Sequence, residues 1–459
     1  MIRIQESITA EDLRDDVARV FSLSAAKIRQ LQSEWDPAKG TPVFTVAGRY
    51  TSRGWTEWTQ GFLFGSAILQ YAATGDETAL AIGREGTRKH MASHVSHVGV
   101  HDHGFNNVST YGNLYHLALS GALSVDAGEL AFYELALRVS GAVQAARWTE
   151  LPDGLGYIYS FNGPHSLFAD TVRSLRSLAL AHRLGHVLMG ERDRRISLLG
   201  RLVAHAETTS RYNVYFGDGR DAYDVRGRVA HESLFNLNDG SYRCPSTQQG
   251  YSPFSTWTRG LAWILCGYAE QLEFLRTLAD EELTPFGGKQ EILRKFANTA
   301  IATADFYCDN SPTDGIPYWD TGAPGLCRLG NYLDRPAEPF NDHEPVDSSA
   351  AAIAAQGFLR LADHLDAIQA TKAGAYYRAA GLTIAQTLFS ERYLATSPRH
   401  QGLLLHSVYH RPNGWDHIPP GKRIPCGESC LWGDYHLREL ALMILRRIEG
   451  KPAYTFFGM

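Results

Sequence analysis

Twelve helical segments, joined alternately by short and long connections, constrain the fold of this chain more than any other feature. Apolar residues recur at helical spacing along most of its 459 residues, and no comparable set of segments shows the alternation typical of strands. The sequence therefore predicts an all-α protein. The predicted helices span about 9–32, 57–74, 77–94, 106–123, 126–146, 166–185, 188–210, 256–277, 288–308, 347–366, 371–390 and 433–448.

The connections between these helices predict how they are arranged. Short ones follow the second, fourth, sixth and tenth helices, the one after the eighth is of middling length, and long ones follow the odd-numbered helices. Short links join antiparallel neighbours, so every long loop should emerge at the same end of the molecule. Six such hairpins in a ring form an (α/α)6 barrel with long loops at one mouth, where function usually resides. We find no dividing linker and expect residues 1–459 to form a single domain.

Composition excludes several classes of protein. A net charge of -5 and a pI near 6.4 argue against a nucleic-acid partner, because proteins that bind nucleic acids usually have a basic surface. The opening MIRIQESITAEDLRDD lacks the apolar core of a secretion signal, and no apolar stretch is long enough to cross a membrane. Six cysteines in so long a chain do not indicate a disulfide framework. We expect a cytoplasmic monomer or homodimer.

A histidine-rich stretch, HMASHVSHVGVHDHGFNN, occupies residues 90–107. His90 and His94 close the third predicted helix, and the other histidines follow in a loop, so they do not share one rigid face. The stretch lacks the HExxH spacing of a zinc helix, and the aspartates of DGRDAYD lack the spacing of a calcium loop. No phosphate-binding or dinucleotide fingerprint is present. We therefore expect neither a metal nor a cofactor.

Two aspartates and an arginine are the stronger functional candidates. Asp102 lies in the second long loop, and Asp170 lies in the first turns of the sixth predicted helix among apolar residues. An aspartate there can be a first-turn charge favoured by the helix dipole, but apolar neighbours are unusual for a solvated acid. Arg259 and Trp263 are four residues apart and share a helix face. They predict either a structural cation–π contact or a clamp for a carboxylate and a sugar ring.

Seven segments, in order along most of the chain, resemble the unsaturated glucuronyl hydrolases, glycoside hydrolase family 88. The R-G-x-A-W and D-S-S-A-A-A-I-A-A runs are the most specific of these. The related unsaturated rhamnogalacturonyl hydrolases share the fold and the paired aspartates, and are the nearest alternative. The matching segments are EWTQGFLFGSAILQYAATGD, HDHGF, SLFADTVRSL, QGYSPFSTWTRGLAW, PVDSSAAAIAAQGFLRLA, GLLLHSVYH and WGDYHLREL.

The resemblance implies an (α/α)6 barrel that removes a Δ4,5-unsaturated uronic acid from the non-reducing end of oligosaccharides made by polysaccharide lyases. The reaction is hydration of the C4=C5 enol ether, which needs no metal or cofactor. By family position Asp170 is the general acid/base and Asp102 the second aspartate. A nearby carboxylate and apolar surroundings should raise the pKa of Asp170 against the helix dipole. The implied pocket residues are Trp58, Gln249, Arg259 and Trp263.

Departures from the family pattern fall around this expected pocket. His103 follows the aspartate of HDHGF, and Arg243 stands where the family usually has a histidine, so we expect both to contact substrate. Two alternatives remain open. A β-eliminating uronic-acid lyase on the same barrel would use His103, Asn107, Tyr111 and Arg243. A non-catalytic barrel would bind glycan without reaction.

Overall fold

The computed structural model describes residues 1–53 and 57–458. Every one of the twelve predicted helices is confirmed as helix in its central part. The α-helices are α1 (Arg14–Glu34), α2 (Gln60–Thr74), α3 (Glu77–His90), α4 (Ala92–Val95), α5 (His103–Asn107), α6 (Asn113–Leu119), α7 (Ala127–Ala146), α8 (Thr171–Ser174), α9 (Arg176–Arg183), α10 (Leu198–Asn213), α11 (Thr258–Arg276), α12 (Asp280–Leu283), α13 (Lys289–Asn310), α14 (Ser348–Ala367), α15 (Thr371–Leu388) and α16 (Leu431–Ile448).

The inner helices form a closed ring. Helix α11 packs against α8 and α14, α14 packs against α16, and α16 packs against α2. The ring continues through α5 and α6, which a π-helical turn at Val108–Gly112 joins into one rod. The outer layer comprises α1, α3, α7, α10, α13 and α15. The structure thus confirms the (α/α)6 barrel, in which α11 and α14 are buried along almost their whole length.

Short strands interrupt two of the predicted helices. The sixth helix begins at Thr171 rather than near 166, because Ser166–Phe168 forms strand β5 of a three-stranded sheet. The seventh begins at Leu198, because the preceding residues form a two-stranded hairpin. The strands are β1 (Phe44–Val46), β2 (Arg49–Thr51), β3 (Trp148–Glu150), β4 (Gly156–Ile158), β5 (Ser166–Phe168), β6 (Leu188–Met189), β7 (Arg195–Ile196), β8 (Glu232–Phe235) and β9 (Tyr242–Ser246).

The three-stranded sheet places one of the candidate aspartates. Strand β5 pairs antiparallel with β8, with Phe168 opposite Glu232, and β8 pairs with β9. Asp170 follows β5 directly, at the turn into α8.

Within the described ranges, no helix is both long and apolar enough to cross a membrane. All six cysteines are unpaired thiols.

Candidate active site

A cavity of about 280 Å³ opens at the end of the barrel where the long loops emerge. Its walls come from the loop before α5, the turn before α8, the start of α11 and the loop before α16. Flat apolar rings alongside a few polar groups are typical of a site that binds small, ring-shaped ligands. The aromatic lining includes Trp58, Phe105, Phe161, Trp257, Trp263 and Trp415.

One histidine stands between the two candidate aspartates. His101 Nε2 lies 3.7 Å from Asp102 Oδ1 and 3.8 Å from Asp170 Oδ1. Asp102 precedes α5 and Asp170 precedes α8, yet neither carboxylate caps its own helix. Side chains at these positions usually accept a hydrogen bond from the first helical turn. Here both carboxylates turn toward His101 and the cavity instead.

Burial and mutual charge shift the pKa of all three groups. Burial raises the pKa of Asp102, and the charge of Asp170 adds to this effect. Burial lowers the pKa of His101, but the two neighbouring carboxylates raise it by more, so the net shift of this pKa is upward. Burial alone would raise the pKa of Asp170, but the proximity and charge of His101, 3.8 Å away, bring it below its usual value.

The expectation that Asp170 has a raised pKa is therefore wrong. The carboxyl with the raised pKa is Asp102, and the cause is its burial beside a second acid. The directions of these shifts favour a proton on His101 or Asp102 over one on Asp170. The three groups thus present a proton donor and a proton acceptor side by side.

The same three groups form a possible ligand set for a divalent cation. Their ligand atoms all lie within 4.8 Å of one another. Metal-bound histidines usually donate the second ring nitrogen to a carboxylate or carbonyl. Neither ring nitrogen of His101 has a hydrogen-bond partner among the described residues. The arrangement therefore lacks the support of a dedicated metal centre, and the absence of a metal remains a prediction.

Arg259 lines the cavity, and both of its terminal guanidinium nitrogens donate to other parts of the protein. Its guanidinium donates to Asp347 Oδ2 at 2.6 Å, to the Tyr409 carbonyl at 2.7 Å and to Gln249 Oε1 at 3.1 Å. It also lies 4.6 Å from the ring centre of Trp257. The predicted stacking partner, Trp263, instead packs against Phe105 and His436, with ring centres 4.9 and 5.0 Å apart.

Two neighbouring glutamines present opposite ends of their amides to the cavity. Gln248 donates its amide to Glu232 Oε2 at 3.2 Å, and Gln249 accepts from Arg259. A carboxylate can only accept and a guanidinium can only donate, so both orientations follow from the partners. Among the described residues, neither the side-chain carbonyl of Gln248 nor the side-chain amide nitrogen of Gln249 has a hydrogen-bond partner.

The structure brings together six of the eight predicted site residues. Asp102, Asp170, Trp58, Gln249, Arg259 and Trp263 all line the cavity. His103 and Arg243 are not among its lining residues.

His103 is buried, with Nδ1 3.0 Å from Ser140 Oγ and Nε2 2.9 Å from the His97 carbonyl. Arg243 lies exposed on β9. Neither residue therefore lines the cavity where substrate contacts were expected. Asn107, another part of the lyase alternative, donates to Ser140 Oγ rather than facing the cavity.

Comparisons with known proteins point to one group of enzymes. No family model matches the chain. The unsaturated glucuronyl hydrolase of Bacillus sp. strain GL1 is 27% identical over 412 residues, which are 88% of this chain and 90% of that protein. The unsaturated chondroitin disaccharide hydrolase of Streptococcus pyogenes serotype M1 is 24% identical over 448 residues, covering 96% and 94%.

Solved structures give the same answer for the fold. A crystal structure of an unsaturated glucuronyl hydrolase specific for heparin matches with a TM-score of 0.71 at 20% identity, covering 97% of this chain and all of that one. The Bacillus sp. GL1 enzyme matches with a TM-score of 0.67 at 22% identity, covering 95% and 98%. This chain is a divergent relative of the unsaturated glucuronyl hydrolases.

Several residues that line the cavity were not predicted from the resemblance to the unsaturated glucuronyl hydrolases. His101 belongs to HDHGF, but the sequence does not distinguish it from the four other histidines nearby. Gln248 and Trp257 lie within QQGYSPFSTW, next to residues that were selected. The lining residues Tyr409, His410 and Trp415 come from a long loop whose conformation no periodicity reveals.

Proposed function

We propose that the protein removes a Δ4,5-unsaturated uronic acid from the non-reducing end of lyase-generated oligosaccharides by hydrating its C4=C5 double bond. The observation that carries the proposal is the pair of buried carboxylates, Asp102 and Asp170, joined through His101 in an aromatic-lined cavity. Acid–base chemistry on an enol ether needs both a donor and an acceptor of protons within one site.

In the proposed reaction, C4 receives a proton and positive charge develops at C5 and the ring oxygen. A water molecule adds to C5 and gives up a proton to the carboxylate that has just lost one. The resulting hemiketal opens and releases the rest of the saccharide. We assign the proton transfers at carbon and water to Asp170. Asp102, whose pKa is raised, supplies the proton through His101.

The cavity walls provide the means to hold such a substrate. Trp58 and Trp263 offer ring faces for a sugar. The Gln248 carbonyl accepts from a hydroxyl, and the Gln249 amide donates to a hydroxyl or carboxylate oxygen. Arg259 contributes by fixing Gln249, since both of its terminal nitrogens already donate to protein acceptors.

We also propose that residues 1–459 act as one catalytic domain, as a monomer or homodimer in the cytoplasm. Six unpaired thiols are consistent with a reducing compartment. The net charge of -5 gives no reason to expect a nucleic-acid partner. Chelation should leave activity unchanged, because the proposed steps use side-chain protons alone.

Ultraviolet absorbance of the conjugated C4=C5 bond tests this function directly. The purified protein is mixed with a panel of lyase-generated oligosaccharides that includes unsaturated rhamnogalacturonan products, with and without a chelator. Hydration destroys the chromophore, so absorbance should fall on at least one substrate. A rise on intact polysaccharide would identify a lyase, and binding without any absorbance change would identify a glycan-binding barrel.

A further inference from the structure

The two aspartate-bearing segments approach each other closely just below the cavity. A Cβ built on Gly104 would lie 2.3 Å from the Ser174 carbonyl oxygen, so only glycine fits this position of α5. The Gly104 N–H donates to Ser174 Oγ at 2.8 Å, and Arg176 Nη2 donates to the Gly104 carbonyl at 2.7 Å. Gly104 follows Asp102 by two residues and Ser174 follows Asp170 by four. The contact therefore couples the two carboxylates.

Gln144, on the outer helix α7, reaches into this junction and touches both sides. Its Nε2 donates to the His101 carbonyl at 2.9 Å, which is the peptide group immediately before Asp102. Its Oε1 accepts from Ser174 Oγ at 3.2 Å and from Ser177 Oγ. Gln144, Ser174 and Ser177 are all fully or almost fully buried.

The orientation of this amide is fixed by its partners. The His101 carbonyl can only accept, so the nitrogen end of Gln144 must face it, and the oxygen end must face the two hydroxyls. A buried amide that satisfies both ends is costly to rotate or withdraw. Gln144 therefore joins the two segments at one spacing.

We propose that Gln144 is a positioning residue that sets the separation of Asp102 and Asp170 and thereby the proton exchange between them. It lies outside the cavity lining and does not touch the reacting atoms. The inference rests on the proposed function for its catalytic consequence and on the contacts above for its geometric one. Mutual repulsion of two carboxylates depends directly on their distance, so a looser junction changes how strongly they hold a shared proton.

Gln144→Met tests the proposal because it keeps the length of the side chain and removes both polar contacts. We expect kcat to fall ~10–100-fold, as for a small misplacement of catalytic groups, with little change in KM. The alkaline limb of the pH–rate profile should move to lower pH, because a wider separation lowers the pKa of Asp102. Ser177→Ala removes one hydroxyl donor and should give a smaller change in the same direction.

Other charges around the carboxylates must stay in place for this comparison. The titratable or charged groups that interact with Asp102 or Asp170 include His97, His101, Arg147, His205, His231 and Tyr409, and all are kept in these variants. Gln70→Met is the matched control. Gln70 is equally buried and donates to the Phe21 carbonyl at 3.2 Å on the far side of α2. It should leave the pH profile and kcat unchanged at any temperature where the variant is folded.

Hydrogen–deuterium exchange separates failure of this proposal from failure of the proposed function. Gln144→Met should speed exchange in 101–107 and 171–177 together, whereas Gln70→Met should not. Faster exchange with a wild-type pH profile and kcat would overturn the positioning role. Unchanged exchange would overturn the junction itself. If the wild type turns over no substrate on the panel, the proposed function fails, and exchange alone then decides whether Gln144 couples the two segments.

Discussion

Arg259 Nη1 lies 2.6 Å from Asp347 Oδ2, and both side chains are buried. The same guanidinium donates to the Tyr409 and Val408 carbonyls and to Gln249. It therefore joins the start of α11 to the start of α14 and to the loop before α16. An arginine with these partners stabilises the mouth of the barrel and fixes the orientation of the glutamine beside it.

Arg259→Lys should lower both stability and substrate affinity. Lysine keeps the charge but cannot reproduce the planar fork, so several buried acceptors lose their donor. The loss should be about 2 kcal/mol or more of unfolding free energy, the scale of a hydrogen bond to a charged group. Thermal melting should show a clear drop, and KM should rise because Gln249 is released. Arg243→Lys, on exposed β9, is the control. A variant with wild-type Tm but raised KM would restore the direct-clamp interpretation.

Asp170→Asn should remove turnover while the barrel stays folded. The amide keeps the shape of the side chain but can neither deliver nor accept the proton in the proposed steps. We expect kcat to fall ~10²–10⁴-fold, the usual contribution of a general acid/base. Circular dichroism should be unchanged, and Asp218→Asn, in an exposed loop, should behave as wild type. Near-wild-type activity would exclude Asp170 from the mechanism.

The helical framework was predictable because periodicity reports burial on one side of a helix. The site was only partly predictable. The sequence predicts Asp170 inside a helix because the short segment Ser166–Phe168 fits helix and strand equally well, and only pairing with β8 decides between them. Its pKa could not be deduced either, since the sign depends on the side chain of His101 rather than on the local helix dipole.

Whether a given residue faces the cavity could not be predicted from the sequence either. His103 and Arg243 stand next to site segments in the chain, but one turns into the protein against Ser140 and the other turns out to solvent. Neighbouring residues on a helix start or a strand point in different directions, so proximity in sequence does not give proximity in the site. His101 and His103 illustrate this within three residues.

Asp102→Asn should have an effect on stability that depends on pH and opposes that of Asp170→Asn. The pKa of Asp102 is raised on folding, so its contribution to stability is present at low pH and lost as pH rises through the folded value. Asparagine avoids this loss. Asp102→Asn should therefore melt above wild type at neutral pH, and the difference should shrink below about pH 4, near the ordinary aspartate pKa.

The contribution of Asp170 to stability has the opposite dependence on pH. Its pKa is lowered, so its stabilisation is present above the unfolded value and lost on acidification. Asp170→Asn should melt below wild type at neutral pH. Melting curves of both variants across pH check the pair, and the same sign for both would contradict the assigned directions. Turnover should be strongly reduced in each.

The last prediction contrasts His101 with His103, two buried histidines of one loop. Both nitrogens of His103 are hydrogen-bonded, whereas neither nitrogen of His101 has a hydrogen-bond partner among the described residues. Removing a satisfied buried group leaves its partners unpaired and costs ~1–3 kcal/mol. His103→Ala should therefore lower Tm, with the choice of oligosaccharide unchanged once the variant is folded.

His101→Ala should instead affect turnover more than stability. It removes no hydrogen bond, so Tm should change less than in His103→Ala, but the link between Asp102 and Asp170 is lost. We expect kcat to fall ~10²-fold or more, the scale of a general acid/base contribution. The alkaline limb of the pH–rate profile should also move, because both carboxylates lose the neighbouring charge that lowers their pKa. Parallel melting and rate measurements distinguish the two residues. An active, unstable His101→Ala beside an inactive, stable His103→Ala would reverse the assignment and return the loop to the lyase hypothesis.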